Sequence, residues 1–403
     1  MFSEPQIPAA LPPASTGGSW RRVLASDSVR DSTLWLVIAC VWVFFYFFTE
    51  GSFLTPRNLV LLALQTSIVS LAAISAVMLI ITRNFDLSIG SAVALVGVIV
   101  ATLTVRVGMN AFGAVLVALV AGLAMGAWQG WWVTRMGVSS FIVTLAGMMY
   151  FRGISMIATN GSTVAPVPES LTALATGFVS PGLSVVLITT GALGLAALRW
   201  TGERRARSLG VAADPSSLAT LKWLVPGAGG TLAAWWAVSW QGIPYLVLLV
   251  AVCALLADAT MRHTTFGVQL HAVGGNPEAA RLSGIPRQKV IFANFLVAGL
   301  AYGITGVALT ARVSGAVAGS AGLFLELDAI AAAIIGGTSL TGGKGRVFGA
   351  LAGALLMGSL NNGMSLMNVP TFYQDTARGA VLLLAVAIDQ VSRRRGAGLK
   401  SAA

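Results

Sequence analysis

The stretch GGNPEAARLSGIP, residues 274–286, interrupts two long apolar segments and encodes a short helix with its own start and stop signals. Asn276 is a favoured N-cap, Pro277 suits the first helical position, and Gly284 can adopt the left-handed conformation that ends a helix. About two turns lie between these signals, and an isolated helix of that length is unstable in water. The segment is therefore expected to pack on its neighbours, either as a docking element for a soluble partner or as an ordinary loop turn.

The composition of the whole chain is that of a membrane protein. Of its 403 residues, 56% are hydrophobic and only 10% are charged. Apolar runs of about 20 residues recur along almost the whole length, and each can cross a hydrocarbon core of about 30 Å as a helix. We predict an all-α polytopic membrane protein with about 12 transmembrane helices (10–12 crossings). The candidate spans are 33–48, 60–82, 88–105, 111–134, 138–159, 180–199, 220–239, 243–260, 290–313, 326–340, 346–367 and 373–391.

The net charge of +11 is a signal of membrane topology and not a nucleic-acid footprint. With both termini in the cytoplasm, most of the 25 Lys and Arg residues lie in or beside inner segments, as the positive-inside rule favours. Residues 1–32 are then a cytoplasmic tail, 33–392 the transmembrane domain and 393–403 a basic cytoplasmic tail. The two larger inner loops are 200–219 and 261–289, and the second of them contains the capped helix.

The sequence offers no credible catalytic, nucleotide or metal site. GGTSLTGGKGR, residues 336–346, resembles a phosphate loop, but Thr338 stands where that pattern needs Gly and Gly345 where it needs Ser or Thr. The two histidines, His263 and His271, do not form a cluster, and no Ser-His-Asp set can be assembled. We therefore expect this chain to bind no metal or cofactor of its own, so that any use of ATP belongs to a partner.

Arg152 is the one basic residue well inside a predicted span. A charge at a helix centre costs about 2.5–3.5 kcal/mol on insertion scales, so it needs a partner or access to water. Counted from Val138 at 1.5 Å per residue, Arg152 lies about 21 Å from the inner end of its span. We predict an ion pair with Glu326 or Asp328 at the outer start of the tenth span. The alternative is a side chain that reaches the outer interface alone.

Small residues recur at four-residue spacing inside several spans. Such faces allow helix backbones to approach closely in lipid, so packing alone explains the repeats. A second interpretation is that close contacts of this kind permit the helices to rock against one another. The repeats are Gly122, Gly126 and Gly130, then Gly299 with Gly303, and Gly349 with Gly353.

Ordered blocks of the sequence resemble one family, the permease subunits of bacterial ABC importers for monosaccharides (the ribose, xylose and arabinose group). The blocks are DLSIGS at 86–91, SFIVTLAG at 140–147, GNPEAARLSGI at 275–285, and ELDAIA at 326–331 with GGTSL at 336–340. The resemblance extends over nearly the whole chain. Outside the capped helix, the residues singled out as motif or structural positions are Asp86, Ser88, Gly90, Arg152, Glu326, Asp328, Gly336 and Gly337.

The resemblance implies an ABC importer permease in the bacterial inner (plasma) membrane, itself without catalytic activity. Its partners would be a second permease copy, two cytoplasmic ATPase subunits that bind ATP and Mg²⁺, and a periplasmic sugar-binding protein. The capped helix would be the coupling helix that docks on the ATPase. Its residues are Asn276, Pro277, Glu278, Ala279, Ala280, Arg281, Leu282, Ser283 and Gly284.

The extra length around 200–240 is similar to that of family members that transport xylose. The resemblance therefore implies a pentose as cargo, D-xylose first, with ribose, arabinose or galactose as alternatives. Asn361 departs from the family pattern, which usually has Asp there, so any charge-dependent role of this position is in doubt.

Two other classes of protein compete with this interpretation. A stand-alone secondary transporter would use an intramembrane carboxylate for ion coupling, with Asp86, Asp258 or Asp328 as candidates. All three lie near predicted span ends, and the capped inner helix would then have no role. A membrane-embedded enzyme lacks a catalytic set. A neighbouring ATPase and a periplasmic binding protein would favour the importer over both.

Overall fold

The computed structural model describes residues 27–208 and 241–398, which are almost entirely helical. Two-residue strands β1 (Thr163–Val164) and β2 (Ala316–Val317) pair antiparallel. Short 3₁₀ and π turns occupy Ser52–Leu54 and Thr102–Arg106. The helices are α1 Asp27–Phe48, α2 Pro56–Ile81, α3 Ile89–Ala101, α4 Ala111–Thr134, α5 Ser140–Thr159, α6 Glu169–Thr176, α7 Pro181–Ser208, α8 Tyr245–His263, α9 Thr265–Gly275, α10 Pro277–Leu282, α11 Arg287–Val313, α12 Leu325–Ile335, α13 Val347–Leu366 and α14 Thr371–Gly398.

Within the described residues, 7 helices are long and apolar enough to cross a membrane: α2, α3 with its π turn, α4, α5, α8, α11 and α13. Thr33–Phe48 and Pro181–Gly194 are shorter apolar stretches. Every predicted span except 220–239 overlaps a helix. That span lies outside the described residues, as do most of the predicted tails and of the loop at 200–219, so the count of twelve stays a prediction.

Among the predicted crossings that fall on described residues, the crossing at 326–340 is the one that helix length does not support. α12 has only 11 residues, which rise about 16 Å and cover roughly half of a hydrocarbon core. The helix ends at Gly336, and Gly337 follows in the left-handed region with φ of 97°. The Gly336 backbone lies directly against that of Gly349 in α13, so a side chain at either position has no space.

The predicted glycine faces are confirmed as close helix contacts. Gly122 and Gly126 of α4 face Gly299 and Gly303 of α11. A Cβ atom on Gly126 would lie 2.9 Å from Gly299 Cα, and one on Gly122 would lie 3.1 Å from Gly303 Cα. Because neither distance leaves room for a side chain, the two helix backbones touch, which is the packing that small residues allow in lipid.

Burial separates central from peripheral helices. The most apolar stretch of α2 is 89% buried and that of α3 is 72% buried, whereas α8 is 17% buried. α2 and α3 therefore form the centre of the chain. The break between them contains four buried polar residues, Thr82, Asn84, Asp86 and Ser88.

Candidate functional site

The break between α2 and α3 is an extended segment that climbs along α5. The backbone N–H of Phe85 donates to Ser140 Oγ at 3.3 Å, and Thr144 Oγ1 donates to the carbonyl of Phe85 at 3.3 Å. Three residues later, Ser88 lies against Gly147. Ser140 and Gly147 are about 10 Å apart along their helix. α3 therefore begins about 10 Å deeper in the bundle than α5 does.

Asp86 lies in this break and is the centre of a buried polar network. Ser88 donates twice to Asp86 Oδ1, from its backbone N–H at 2.8 Å and from its hydroxyl at 2.7 Å. The Tyr302 hydroxyl donates to Asp86 Oδ2 and lies 3.2 Å from Gln129 Oε1. Gln129 Nε2 donates in turn to Ser88 Oγ. None of the four side chains is more than 2% exposed.

The hydrogen bonds of this network account for both oxygens of the Asp86 carboxylate. A buried charge is tolerated only when its polar atoms are satisfied in this way. The network joins the break, in which Ser88 is the N-cap of α3, to α4 and α11, and Gln129 and Tyr302 lie far from Asp86 along the chain. Sequence reasoning selected Asp86 and Ser88 but missed Gln129 and Tyr302. The available signal was Gln129 as the single amide of α4 and Tyr302 as the single phenol of α11.

A second break meets the first one in the middle of the bundle. After α11 the chain forms β2, where Ala316 lies beside Gly97 of α3, and it then returns along α3 until Gly322 lies against Gly90. Gly97 and Gly90 are about 10 Å apart along α3. Because the Gly90 and Gly322 backbones are in direct contact, α12 starts at the same level as α3.

Arg152 binds this returning segment and not a carboxylate. Its Nη1 donates to the carbonyls of Ala318 at 3.1 Å and Ala321 at 2.7 Å. The predicted ion pair is wrong, because neither Glu326 nor Asp328 lies within 4.0 Å of the guanidinium. Glu326 attracts it from a longer distance. The Glu326 carboxylate lies instead beside the backbone of Gly90, at the start of α3. The returning segment offers carbonyls without helical partners, and these attract the donor-rich guanidinium.

The capped helix is formed as predicted and is short. α10 covers Pro277–Leu282, one residue less than expected, because Ser283 forms its C-cap. Asn276 Oδ1 accepts from the backbone N–H groups of Glu278 at 3.2 Å and Ala279 at 3.1 Å. Gly284 is left-handed with φ of 76°.

One side of α10 is buried in the protein, and the other side is exposed in the part of the chain that the structure describes. Ala280 is 4% exposed, whereas Leu282 is 75% exposed. Glu278 and Arg281 form an exposed ion pair at 2.6 Å, and the hydrogen bond to Glu278 raises the pKa of the Arg281 guanidinium. An exposed leucine beside a charged pair is a surface that another protein can cover.

A cluster that we term the glycine junction, comprising Ile81, Arg83, Gly274, Gly275 and Gly343, holds the base of α10. Arg83 Nε donates to the carbonyl of Gly274 at 2.6 Å, and its Nη2 donates to that of Gly275 at 2.9 Å. The Gly343 N–H donates to the Ile81 carbonyl at 2.8 Å. A Cβ on Gly274 would meet the Ile81 carbonyl and lie 2.7 Å from the Gly343 nitrogen. The start of α10 is thus fixed to the break that carries Asp86.

Asp328 is placed apart from Arg152 and Glu326. It is 7% exposed and lines a small cavity beside Asp375 and Arg378 of α14. Among the predicted site residues, the structure brings Asp86 together with Ser88, and Gly90 together with Glu326. Arg152 binds the returning segment beside these residues. Asp328 and the capped helix each lie elsewhere in the protein.

Comparison with known proteins identifies the class of the chain. The family model described as "Branched-chain amino acid transport system / permease component" matches residues 58–386. That range is most of the chain and includes both breaks and the capped helix. The chain belongs to this permease family.

Individual relatives are similar over almost their whole length. The chain is 42% identical over 373 residues to the xylose transport system permease protein of Escherichia coli (strain K12), covering 92% of this chain and 94% of the relative. The xylose transport system permease protein of Haemophilus influenzae is 40% identical, with 92% and 99% covered. The ribose import permease protein of Escherichia coli (strain K12) is 34% identical, with 84% and 87% covered. No solved structure matches the chain.

Proposed function

We propose that this chain is the membrane-spanning permease subunit of an ATP-driven monosaccharide importer in the bacterial inner membrane, and that its cargo is D-xylose. The observation that carries the proposal is the similarity to xylose permeases, 42% over 92% of the chain. The capped helix supports it from the structural side, because α10 presents an exposed leucine on a firmly held base.

In this proposal the chain crosses the membrane about twelve times, with both termini in the cytoplasm. The distribution of Lys and Arg supports that orientation. It places α10 and the glycine junction on the cytoplasmic side, where an ATPase subunit docks over Leu282 and the Glu278–Arg281 pair. ATP and Mg²⁺ are bound by that partner. A periplasmic binding protein delivers the sugar on the opposite side, and a second permease copy completes the pathway.

The geometry supplies a route by which closure of the ATPase can reach the membrane centre. A displacement of α10 moves Gly274 and Gly275, to which Arg83 is bonded. Arg83 precedes Asp86 by three residues, and the Asp86 network holds α3, α4 and α11 together. α3 in turn contacts the start of α12 through Gly90 and Gly322. The two helix starts therefore move together with the capped helix.

The test is uptake of labelled xylose into proteoliposomes that contain the permease, its ATPase and its binding protein. Wild type is compared with Leu282→Asp, which places a charge on the exposed face of α10. Gln288→Asp is the matched control, because it adds the same charge to an exposed residue in the first turn of α11, outside α10. We expect ATP-dependent uptake by wild type and by the control, and loss of uptake with Leu282→Asp.

Each other result points to a different correction. Uptake without an ATPase would contradict the importer and favour a secondary transporter. Coupled uptake of ribose but not of xylose would retain the importer and change its cargo. Normal uptake by Leu282→Asp would remove the docking role from α10.

A further inference from the structure

A cavity of about 120 Å³ lies between α12, α13 and α14. Its lining is mainly apolar, but three charged side chains reach it, Asp328 of α12 and Asp375 and Arg378 of α14. Phe324 and Leu327 form part of the apolar wall. We term this space the charged cavity. An apolar cavity with a few convergent polar groups is the usual form of a small-molecule site.

The charges of the cavity are not fully neutralised by one another. Arg378 Nη1 lies 3.4 Å from Asp375 Oδ1, and Arg378 Nε donates to Asn361 Oδ1 at 2.7 Å. The guanidinium is therefore held toward α13 and Asp375. Among the residues that the structure describes, no hydrogen bond or ion pair within 4.0 Å reaches the Asp328 carboxylate. Asp328 nevertheless is only 7% exposed.

An unpartnered carboxylate at such a position accepts hydrogen bonds from water or from another polar molecule that enters the cavity. Burial of an unpaired charge is costly, and charged side chains within membrane-spanning bundles face a water-filled space or a partner and not lipid. Asp375 and Arg378 still have 44% and 25% of their side chains exposed. The charged cavity is therefore open to a polar occupant.

The backbone conformation of Phe324 is an independent indication of a ligand-binding site. It caps the start of α12 with φ of 61°, in the left-handed region. A bulky residue is rarely found there, and such backbone conformations concentrate at ligand-binding sites. The consequence here is an aromatic ring, 38% exposed, on the wall of the cavity.

We propose that the charged cavity binds the monosaccharide during its passage through the permease; this rests on the function proposed above. A sugar hydroxyl donates to Asp328, Arg378 donates to another hydroxyl, and the C–H face of the sugar lies on Phe324. A neutral polyol suits the set because both donors and acceptors are present. Two carboxylates disfavour an anion, and the guanidinium disfavours a metal cation.

The first test is the substitution Asp328→Asn, which keeps the size of the side chain but removes its charge. Hydrogen bonds to charged groups are strong enough that xylose uptake by the reconstituted importer should fall about tenfold or more. Glu169→Gln, an exposed carboxylate on α6, is the control and should import at the wild-type rate. The amount of permease that co-purifies with its ATPase is measured in parallel. Wild-type uptake by Asp328→Asn would overturn the proposal.

A second test reports occupancy directly and does not depend on the stability of Asp328→Asn. Leu327→Cys is introduced into a chain in which Cys40 and Cys253 are replaced by Ser, and its reaction with a water-soluble maleimide is followed. Leu327 is 41% exposed and lines the cavity. Leu383→Cys, on an apolar and 69% exposed stretch of α14, is the control. We expect Leu327→Cys to react, Leu383→Cys to remain unlabelled, and xylose to slow the first reaction.

The outcomes separate the two proposals. If Leu327→Cys does not react, the cavity is covered by lipid or by a second copy, and the sugar site is overturned. If it reacts at the same rate with and without xylose while wild type imports xylose, only the sugar site is overturned. If wild type imports no sugar at all, the importer itself fails, and the sugar site fails with it.

Discussion

The glycine junction and the charged cavity are built on opposite principles. In the junction, backbone touches backbone, and Arg83 and Gly343 donate to the carbonyls that meet there. In the cavity, side chains surround a space, and none of the described residues donates a hydrogen bond to Asp328. A tightly packed region without free volume moves as one body. A region whose polar groups lack hydrogen-bond partners can bind and release a solute. The junction is therefore suited to transmit movement and the cavity to handle a solute.

The largest expected effect is at Gly274, where a methyl group would break the junction. A Cβ there meets the Ile81 carbonyl, whereas a Cβ on neighbouring Gly275 is 4.0 Å from Gly343 Cα. Gly274→Ala should therefore cost about 3 kcal/mol of stability as an overpacked site and abolish uptake. Gly275→Ala should resemble wild type. Thermal unfolding in detergent compares them, and equal unfolding temperatures for the two variants would contradict the tight junction.

Next in size is Tyr302→Phe, which removes one hydroxyl from the Asp86 network. Asp86 Oδ2 would lose the donor that Tyr302 provides. An orphaned buried acceptor costs about 2 kcal/mol, so the unfolding temperature should fall although the aromatic ring is kept. Tyr150→Phe is a suitable control, because Tyr150 is 58% exposed. If the network does not stabilise the fold, Tyr302→Phe and Tyr150→Phe should show the same small change in unfolding temperature.

The charged cavity should respond with the opposite sign. Asp328→Leu replaces an unpartnered buried carboxylate with an apolar side chain of similar size, and such replacements stabilise proteins by about 1 kcal/mol. The variant should unfold at a higher temperature than wild type while it imports no xylose. Paired measurements of thermal unfolding and uptake check this. A lower unfolding temperature would show that Asp328 is a structural residue.

The smallest effects are expected on α10, whose surface is exposed. Asn276→Ala removes the cap that accepts two backbone N–H groups and should cost about 1 kcal/mol. Glu278→Gln breaks an exposed ion pair and should leave stability unchanged, since such pairs contribute little. If thermal unfolding shows a larger loss of stability for Glu278→Gln than for Asn276→Ala, α10 is stabilised by its surface charges and not by its cap.

Local chemistry made much of the fold predictable. Asn276, Pro277 and Gly284 fix the limits of α10 to within one residue, because caps act through the adjacent backbone. The apolar runs locate the long helices for a similar reason. The glycine repeats of α4 and α11 also predicted a contact correctly, since close approach in lipid leaves few alternatives.

Features that depend on distant chain segments were not predictable from the sequence. The partner of Arg152 is a pair of carbonyls whose availability depends on the return of the chain after α11. Tyr302 lies 216 residues from Asp86, and nothing in its local sequence indicates that contact. The apolar run at 326–340 concealed the end of α12, because hydropathy does not register the turn that Gly336 and Gly337 impose.

The most direct test of the account is the number of xylose molecules imported per ATP hydrolysed, measured in the same proteoliposomes for wild type and Arg83→Gln. Arg83 bonds to both carbonyls at the base of α10 and adjoins the break that carries Asp86. The account predicts that Arg83→Gln still assembles with the ATPase and hydrolyses ATP but imports fewer xylose molecules per ATP, with Arg83→Lys in between. An unchanged ratio for Arg83→Gln would contradict transmission through the glycine junction.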